Sequence, residues 1–218
     1  MNPLNRLNEN LNRTVRTARL VRTPLPLCPD IALLLISEDY PRGPLDHDEM
    51  ISIINTPAYW AFCWASGQVL ARYILAHADT FAGQRILDFG AGSGVVAIAA
   101  AKAGAASVVA CDIDPDALDA CRANARLNGV DVELLDDIEK LSGIPDIAIA
   151  ADVLYDRDNL CWLDKLPHMA HHVIIADSRA KDVEVHGYRI LDTVTATTIP
   201  DLEEHPEFNE VKVYESTR

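Results

Sequence analysis

The run Asp88-Phe89-Gly90-Ala91-Gly92-Ser93-Gly94 sets a carboxylate and alternating glycines between an apolar segment, Arg85 to Leu87, and a stretch of small apolar residues, Val95 to Ala101. Gly90, Gly92 and Gly94 would let a ligand lie against bare backbone, and the unpaired N–H groups opening the following helix would face it. A nucleotide-like ligand is expected there. A dinucleotide loop has a further glycine where Val95 stands, and Asp88 would repel a pyrophosphate. The anion suits a ligand carrying a cationic amine and a sulfonium. Asp112 lies 18 residues beyond Gly94, about where a carboxylate meets ribose hydroxyls in a doubly wound fold. Asp137, or the backbone beside it, would meet an adenine amine. Asp152-Val153-Leu154-Tyr155 closes a further apolar segment and would face the reactive end of a ligand laid over the loop.

These residues need a sheet to bring them together. Apolar segments are predicted as strands at Arg85 to Leu87, Ala106 to Cys111, Val130 to Leu135, Ile144 to Ala151 and Val173 to Ala176. Helices are predicted between them, one opened by Pro115 and stopped by Gly129. Strand and helix alternate, so the fold class is α/β: a doubly wound, Rossmann-like parallel sheet with its ligands at the strands' carboxyl ends. The last two strands, Tyr188 to Thr197 and Phe208 to Tyr214, are joined without a helix and predict an antiparallel edge.

Upstream, Thr56-Pro57 has the form of a helix start, and the helix is expected to run through Tyr59 to about Ala78. Trp60, Trp64, Gly67, Gln68 and Ala71 would share one stripe of it, either as core or as a wall of the ligand site; in the second case Trp64 and Gln68 touch the ligand. Before it, Leu4, Leu7, Leu11 and Val15 recur at helical spacing among arginines. That pattern is shared by mitochondrial transit peptides and by a helix packed on its own domain, and the second reading is preferred. Pro24 to Pro29 is expected to be a stiff linker, Ile31 to Ile36 a strand or short helix, and residues 37 to 55 an acidic loop around Asp39, Asp46, Asp48 and Glu49 leading into a short segment. The division expected is an N-terminal extension over 1–55 and a catalytic domain over 56–218.

Composition excludes several classes. The chain has 218 residues, 49% hydrophobic and 24% charged, with a formal charge of -14. Excess acid disfavours a nucleic-acid partner, whose binding rests on Lys and Arg neutralising phosphates, and favours a basic one. No apolar run is long enough to span a bilayer. Single, scattered cysteines suggest neither disulfides nor a zinc site, and His168, His171 and His172 lack the companions of a metal centre and are taken as loop residues. No metal is expected.

The glycine motif resembles the first motif of class I S-adenosyl-L-methionine-dependent methyltransferases. Methyltransferases of nucleobase and amide nitrogens carry Asn or Asp before Pro-Pro-Tyr at the fourth strand, whereas Asp152-Val153-Leu154-Tyr155 lacks both prolines and looks like the Asp-x-x-Tyr of protein-lysine enzymes. With Pro29-Asp30-Ile31-Ala32-Leu33 and the run from Pro57 to Gln68, the chain resembles the electron-transfer flavoprotein β-subunit lysine methyltransferases and their bacterial relatives. The resemblance implies S-adenosyl-L-methionine as cofactor, a seven-stranded sheet, and lysine side chains of the flavoprotein β subunit as acceptor. It also implies the cytoplasm in a bacterium, or the mitochondrial matrix in a eukaryote. A ribosomal-protein lysine, a small amine, a non-catalytic cofactor-binding module and a nicotinamide enzyme are the rival readings. Asp152, with an ordinary carboxylate pKa of about 3.9, is expected to orient the amine rather than take its proton, and Tyr155 to line the lysine channel.

Overall fold

A computed structural model describes residues 3–40, 43, 47–155, 157–179 and 187–217. Asp46, named above, lies outside the described residues. The chain opens with helix α1 (Pro3–Thr14), strands β1 (Leu20–Leu25) and β2 (Cys28–Ile36), and helices α2 (His47–Asn55), α3 (Ala65–Ala76) and α4 (Ala78–Phe81). Strand β3 (Arg85–Phe89), helix α5 (Val95–Lys102), β4 (Ser107–Cys111), α6 (Pro115–Leu127), β5 (Glu133–Leu135) and β6 (Ile147–Ala151) then alternate. Helix α7 (Trp162–Met169), β7 (His172–Asp177), β8 (Tyr188–Thr195) and β9 (Glu210–Ser216) follow.

Among the described residues the main sheet has seven strands in the order β5-β4-β3-β6-β7-β9-β8. Strands β3 to β7 are parallel neighbours, and β9 pairs antiparallel with both β7 and β8. Helices cover both faces, so β6 at the centre is apolar throughout, with Ile147 to Ala150 all buried. Successive strands run outward from β3 to β5 and then resume on its other side at β6. The crevice opened by that reversal lies at the carboxyl ends of β3 and β6. Helix α5 is made of small side chains and buries Val95 to Ala100. It lies so close to α3 that a Cβ on Gly67 would come within 3.0 Å of Val95 Cγ1.

The structure corrects several local expectations. The proline-rich stretch is a β-hairpin, with Leu20 opposite Ile36 and Leu25 opposite Cys28. Pro24 is tolerated because β1 is an edge strand with an irregular register at Pro24 and Leu25. The inner residues Ile31, Leu33 and Leu35 are fully buried and join the core formed by α3 and α5. Residues 47–55 within the expected acidic loop are helix α2. The helix expected from Thr56 begins only at Ala65. Cys63 and Ile199 exchange both backbone hydrogen bonds, at 2.8 Å each, which holds the chain extended and leaves Tyr59–Ala61 as a separate 3-10 turn. His168 sits on α7 and His172 in β7 rather than in loops. Among the described residues no group of His, Cys, Asp and Glu is arranged to hold a metal ion, and no helix is long and apolar enough to cross a membrane.

The amphipathic start is a helix packed on the domain. Leu7 and Leu11 are buried with Ala117 and Ala120 of α6, and Arg6 pairs with Asp119 at 2.7 Å. Leu11 is fully buried, so Leu11→Ala is expected to lower unfolding free energy by about 2 to 5 kcal/mol in urea titration. A loss within about 0.5 kcal/mol, the range for surface changes, would show that α1 lies outside the cooperative core.

Candidate active site

The glycine loop leaves β3 and enters α5 under restraint from several side chains. Gly90 has φ +72, and a Cβ there would lie 2.7 Å from Val153; Gly94 has φ +80, and a Cβ there would lie 2.6 Å from Cys121 Sγ. These two glycines are demanded by packing. Gly92 differs, because a Cβ on it would meet nothing nearer than 4.0 Å, the Gly90 carbonyl. Its bare face looks onto open space, as a loop that admits a ligand requires.

Asp88 is buried at the end of β3, and its Oδ2 accepts the Ala97 N–H at 2.9 Å. The carboxylate thus closes the first turn of α5 and is not displayed on the surface. Burial pushes its pKa up to about 7, the Ala97 bond opposes this, and the charge of Asp112 adds to it. Asp112, at the end of β4, accepts the Gly92 N–H at 2.8 Å through Oδ2 and the Asp114 N–H at 2.9 Å through Oδ1. Each oxygen retains a lone pair for a further donor. Burial raises the pKa of Asp112 as well. Asp137 follows β5 and accepts the Glu139 N–H at 2.9 Å, which shapes the turn beside the crevice.

Asp152 follows β6 with a left-handed backbone, φ 51. Its Oδ2 accepts the Ser66 N–H at 2.9 Å and its Oδ1 the Ser66 hydroxyl at 2.6 Å, so this carboxylate caps the start of α3 from another element. Ser178 adds a longer bond of 3.4 Å. Burial and then the neighbouring Asp177 drive its pKa up to about 7, against the Ser66 bonds and the Arg179 charge. The expectation of an ordinary, strongly acidic Asp152 is therefore corrected. Ser66 is the residue sequence reasoning missed; its only signal was a position two residues past Trp64, where α3 begins.

Tyr155 is 53% exposed. Its ring meets Tyr59 edge-on at 5.6 Å, and Tyr59 in turn meets Trp64 at 5.7 Å. The Trp64 indole donates to the Tyr59 carbonyl at 3.0 Å, and the Arg179 guanidinium lies 5.8 Å from its ring centre. Arg179 also faces Phe208 at 4.5 Å and pairs with Glu204. An aromatic wall results, suited to an alkyl ammonium. Gln68 is buried, its amide donates to the Thr197 carbonyl at 2.9 Å, and its Oε1 has no partner among the described residues.

The bare Gly92 face, the start of α5, and the acids ending β3, β4 and β5 fit a nucleoside bearing an amino acid and a positive sulfur: S-adenosyl-L-methionine. Together with the sheet order they define a class I methyltransferase fold. Residues 70–155 match the family model "Ribosomal protein L11 methyltransferase (PrmA)". A magnesium protoporphyrin IX methyltransferase from Synechocystis, solved with bound S-adenosylmethionine, superimposes with a TM-score of 0.55 at 19% identity over 82% of this chain and 87% of its own. The electron transfer flavoprotein beta subunit lysine methyltransferase of Rattus norvegicus is 38% identical over 103 residues, 46% of this chain and 40% of that protein. The homolog from Caenorhabditis elegans is 32% identical over 188 residues, 72% of this chain and 77% of that protein. The chain belongs to the electron transfer flavoprotein β-subunit lysine methyltransferase family. It spans about half the length of the vertebrate relatives it matches.

Raised acids tie stability to pH. Asp88 binds its proton more tightly folded than unfolded, so its contribution is full below about pH 4 and is lost as pH rises through about 7. Asp88→Asn keeps an oxygen for the Ala97 N–H and removes the charge. Its unfolding free energy is expected to decline less between pH 4 and 8 than that of the wild type, by up to about 4 kcal/mol. Parallel pH profiles in urea titrations of the two proteins would refute this.

Proposed function

We propose that this protein is an S-adenosylmethionine-dependent protein-lysine N-methyltransferase whose acceptor is the β subunit of electron transfer flavoprotein. The observation that carries the reading is the Asp152 carboxylate, fixed by Ser66 and linked through Arg179 to the aromatic cluster of Trp64, Tyr59 and Tyr155. Family membership supports the acceptor. The cofactor, when bound, supplies an electrophilic methyl on positive sulfur.

Gly90, Gly92 and Gly94 and the first N–H groups of α5 would hold the amino-acid end of the cofactor. Asp112 would accept the ribose hydroxyls, Asp88 would act through the loop by charge, and Asp137 or its backbone would face the adenine. Trp64, which also belongs to the aromatic wall, and Gln68, which fastens α3 to the Thr197 segment, would line the cofactor site on the α3 side. On the acceptor side, Tyr59 and Tyr155 would flank the lysine stem and stabilise its ammonium before reaction. The amine attacks only after losing a proton. Asp152, poised near neutrality by burial and Asp177, can hold an amine hydrogen, aim the lone pair and accept the proton. The N–C bond then forms as the S–C bond breaks, and S-adenosylhomocysteine leaves with the electron pair on sulfur.

Recognition of a folded partner would draw on acids at the rim. The Cys63–Ile199 bridge and the Arg179–Glu204 pair bring the segment with Asp201, Glu203 and Glu204 beside the aromatic wall. Asp39 is committed to Arg19 and Ser37. The compartment follows that of the partner. A ribosomal-protein lysine is the competing acceptor, favoured by the family model over residues 70–155. Mass spectrometry of both purified acceptors after incubation with the enzyme separates the two, and unmodified flavoprotein beside a methylated ribosomal protein would overturn the assignment.

Asp152→Asn is expected to lower turnover by about two to four decades with cofactor affinity nearly unchanged. In the wild type kcat should rise with pH through about 7 as Asp152 ionises, a limb absent from the variant. Wild-type turnover in Asp152→Asn would remove Asp152 from the chemistry. Rising salt should raise KM for the protein acceptor and leave cofactor binding little changed, because rim charges are screened over about 8 Å. Salt-independent activity, equal on free lysine, would show that the acids do not recognise a protein.

A further inference from the structure

Helix α6 carries Asn124 and Asn128 one turn apart, facing the outer edge of β2. A strand edge within the protein must find partners for its backbone groups. Asn128 supplies them at Ala32, accepting the N–H at 3.1 Å and donating to the carbonyl at 2.7 Å. Asn124 does something different. It is fully buried, its Oδ1 accepts the Leu34 N–H at 2.7 Å, and its Nδ2 donates at 2.8 Å to the carbonyl of Ser93, the residue between Gly92 and Gly94.

We infer that Asn124 is a positioning residue for the cofactor loop, through which the N-terminal hairpin sets the orientation of the Ser93–Gly94 peptide and so the affinity for S-adenosylmethionine. The inference rests on the cofactor assignment and is independent of the acceptor. In a planar trans peptide the carbonyl and the next N–H point opposite ways. With the Ser93 carbonyl held by Asn124, the Gly94 N–H turns to the Ala91 carbonyl at 2.8 Å, and the tight turn is closed. Gly94 can adopt either sign of φ, so nothing in the loop's own covalent structure prevents this peptide from turning over. A reversed peptide would aim its carbonyl at the Ala91 carbonyl and open the turn, displacing the backbone N–H groups that would receive the carboxylate of a bound amino acid. The neighbouring bonds do not replace Asn124, since Asp112 holds the Gly92 N–H and Asp88 the Ala97 N–H, on either side of that peptide.

Residue type follows from the same geometry. The position needs one acceptor and one donor on a rigid planar group without charge. Aspartate would keep the acceptor for Leu34, lose the donor for Ser93, and add a third carboxylate near Asp88 and Asp112, whose charges already reach Cys121 on the preceding turn of α6.

The test compares Asn124→Ala, Asn124→Asp and Asn128→Ala with the wild type in the full chain, using S-adenosylhomocysteine as probe. Calorimetry should show the two Asn124 variants weakened about ten- to a hundred-fold. Asn128→Ala, which releases the same strand edge without touching the loop, should lose thermal stability and keep wild-type affinity. Kinetically, Asn124→Ala should raise KM for S-adenosylmethionine with kcat at saturation within about twofold of wild type. Hydrogen exchange supplies a readout that needs no activity: the probe should slow exchange across Cys28–Ile36 in the wild type and in Asn128→Ala, and not in Asn124→Asp, which serves if Asn124→Ala fails to fold. Wild-type affinity in a folded Asn124 variant, or equal losses at Asn124 and Asn128, would overturn the inference. Failure of the wild type to bind the probe would instead defeat the cofactor reading beneath it, whereas failure to methylate the flavoprotein would leave the inference standing.

Discussion

The hydrogen bond from Ala97 to Asp88 is the constraint on which this structure depends. It joins the end of the central strand to the first turn of α5, and so fixes the angle at which the chain leaves the sheet and the length left for the loop between. An isolated carboxylate this deep would be costly, and the helix start supplies the donor and the positive end of a dipole that make it tolerable. The glycines follow from the same restraint. With strand and helix locked together, the intervening residues must turn sharply while passing under Val153 and beside Cys121, which no side chain at Gly90 or Gly94 would permit.

Acids gathered at one edge of a sheet repel one another, and here burial compounds the effect. Asp88 and Asp152 are both driven toward neutrality, by Asp112 and Asp177 respectively as well as by burial. A cation brought to that edge would relieve this repulsion, so part of the affinity for a sulfonium is stored in the protein itself. The same arrangement explains how a chain of net charge -14 can carry protonatable carboxyls at neutral pH.

Much of the fold was legible because strands β3, β4, β6 and β7 are apolar runs ending in polar turns. The glycine loop and the acids closing β3, β4, β5 and β6 could therefore be placed before any coordinates. The hairpin could not, because Pro24, Pro26 and Pro29 weigh against pairing and only the buried outer edge against α6 overrides them. The late start of α3 was hidden for a similar reason: it is imposed by Ile199, which is distant in sequence. Ser66, Asn124 and the altered acidity of Asp152 belong to the same class. Each depends on a partner from another element, and residue type at one position carries no trace of that partner.

Strand β9 comes last in the order of strands, yet it lies inside the sheet, between β7 and β8, with Val211 and Val213 fully buried. A polypeptide made from its N-terminus exposes β8 before the strand that will shelter it exists. Until β9 arrives, β8 has no neighbour in this sheet, and β7 presents an open edge to other chains. Synthesis therefore leaves an unfinished platform whose closing step is an insertion rather than an addition at the margin. Shortening the chain from this end would remove a central stave instead of a border, and the exposed edges left behind would favour association between incomplete molecules.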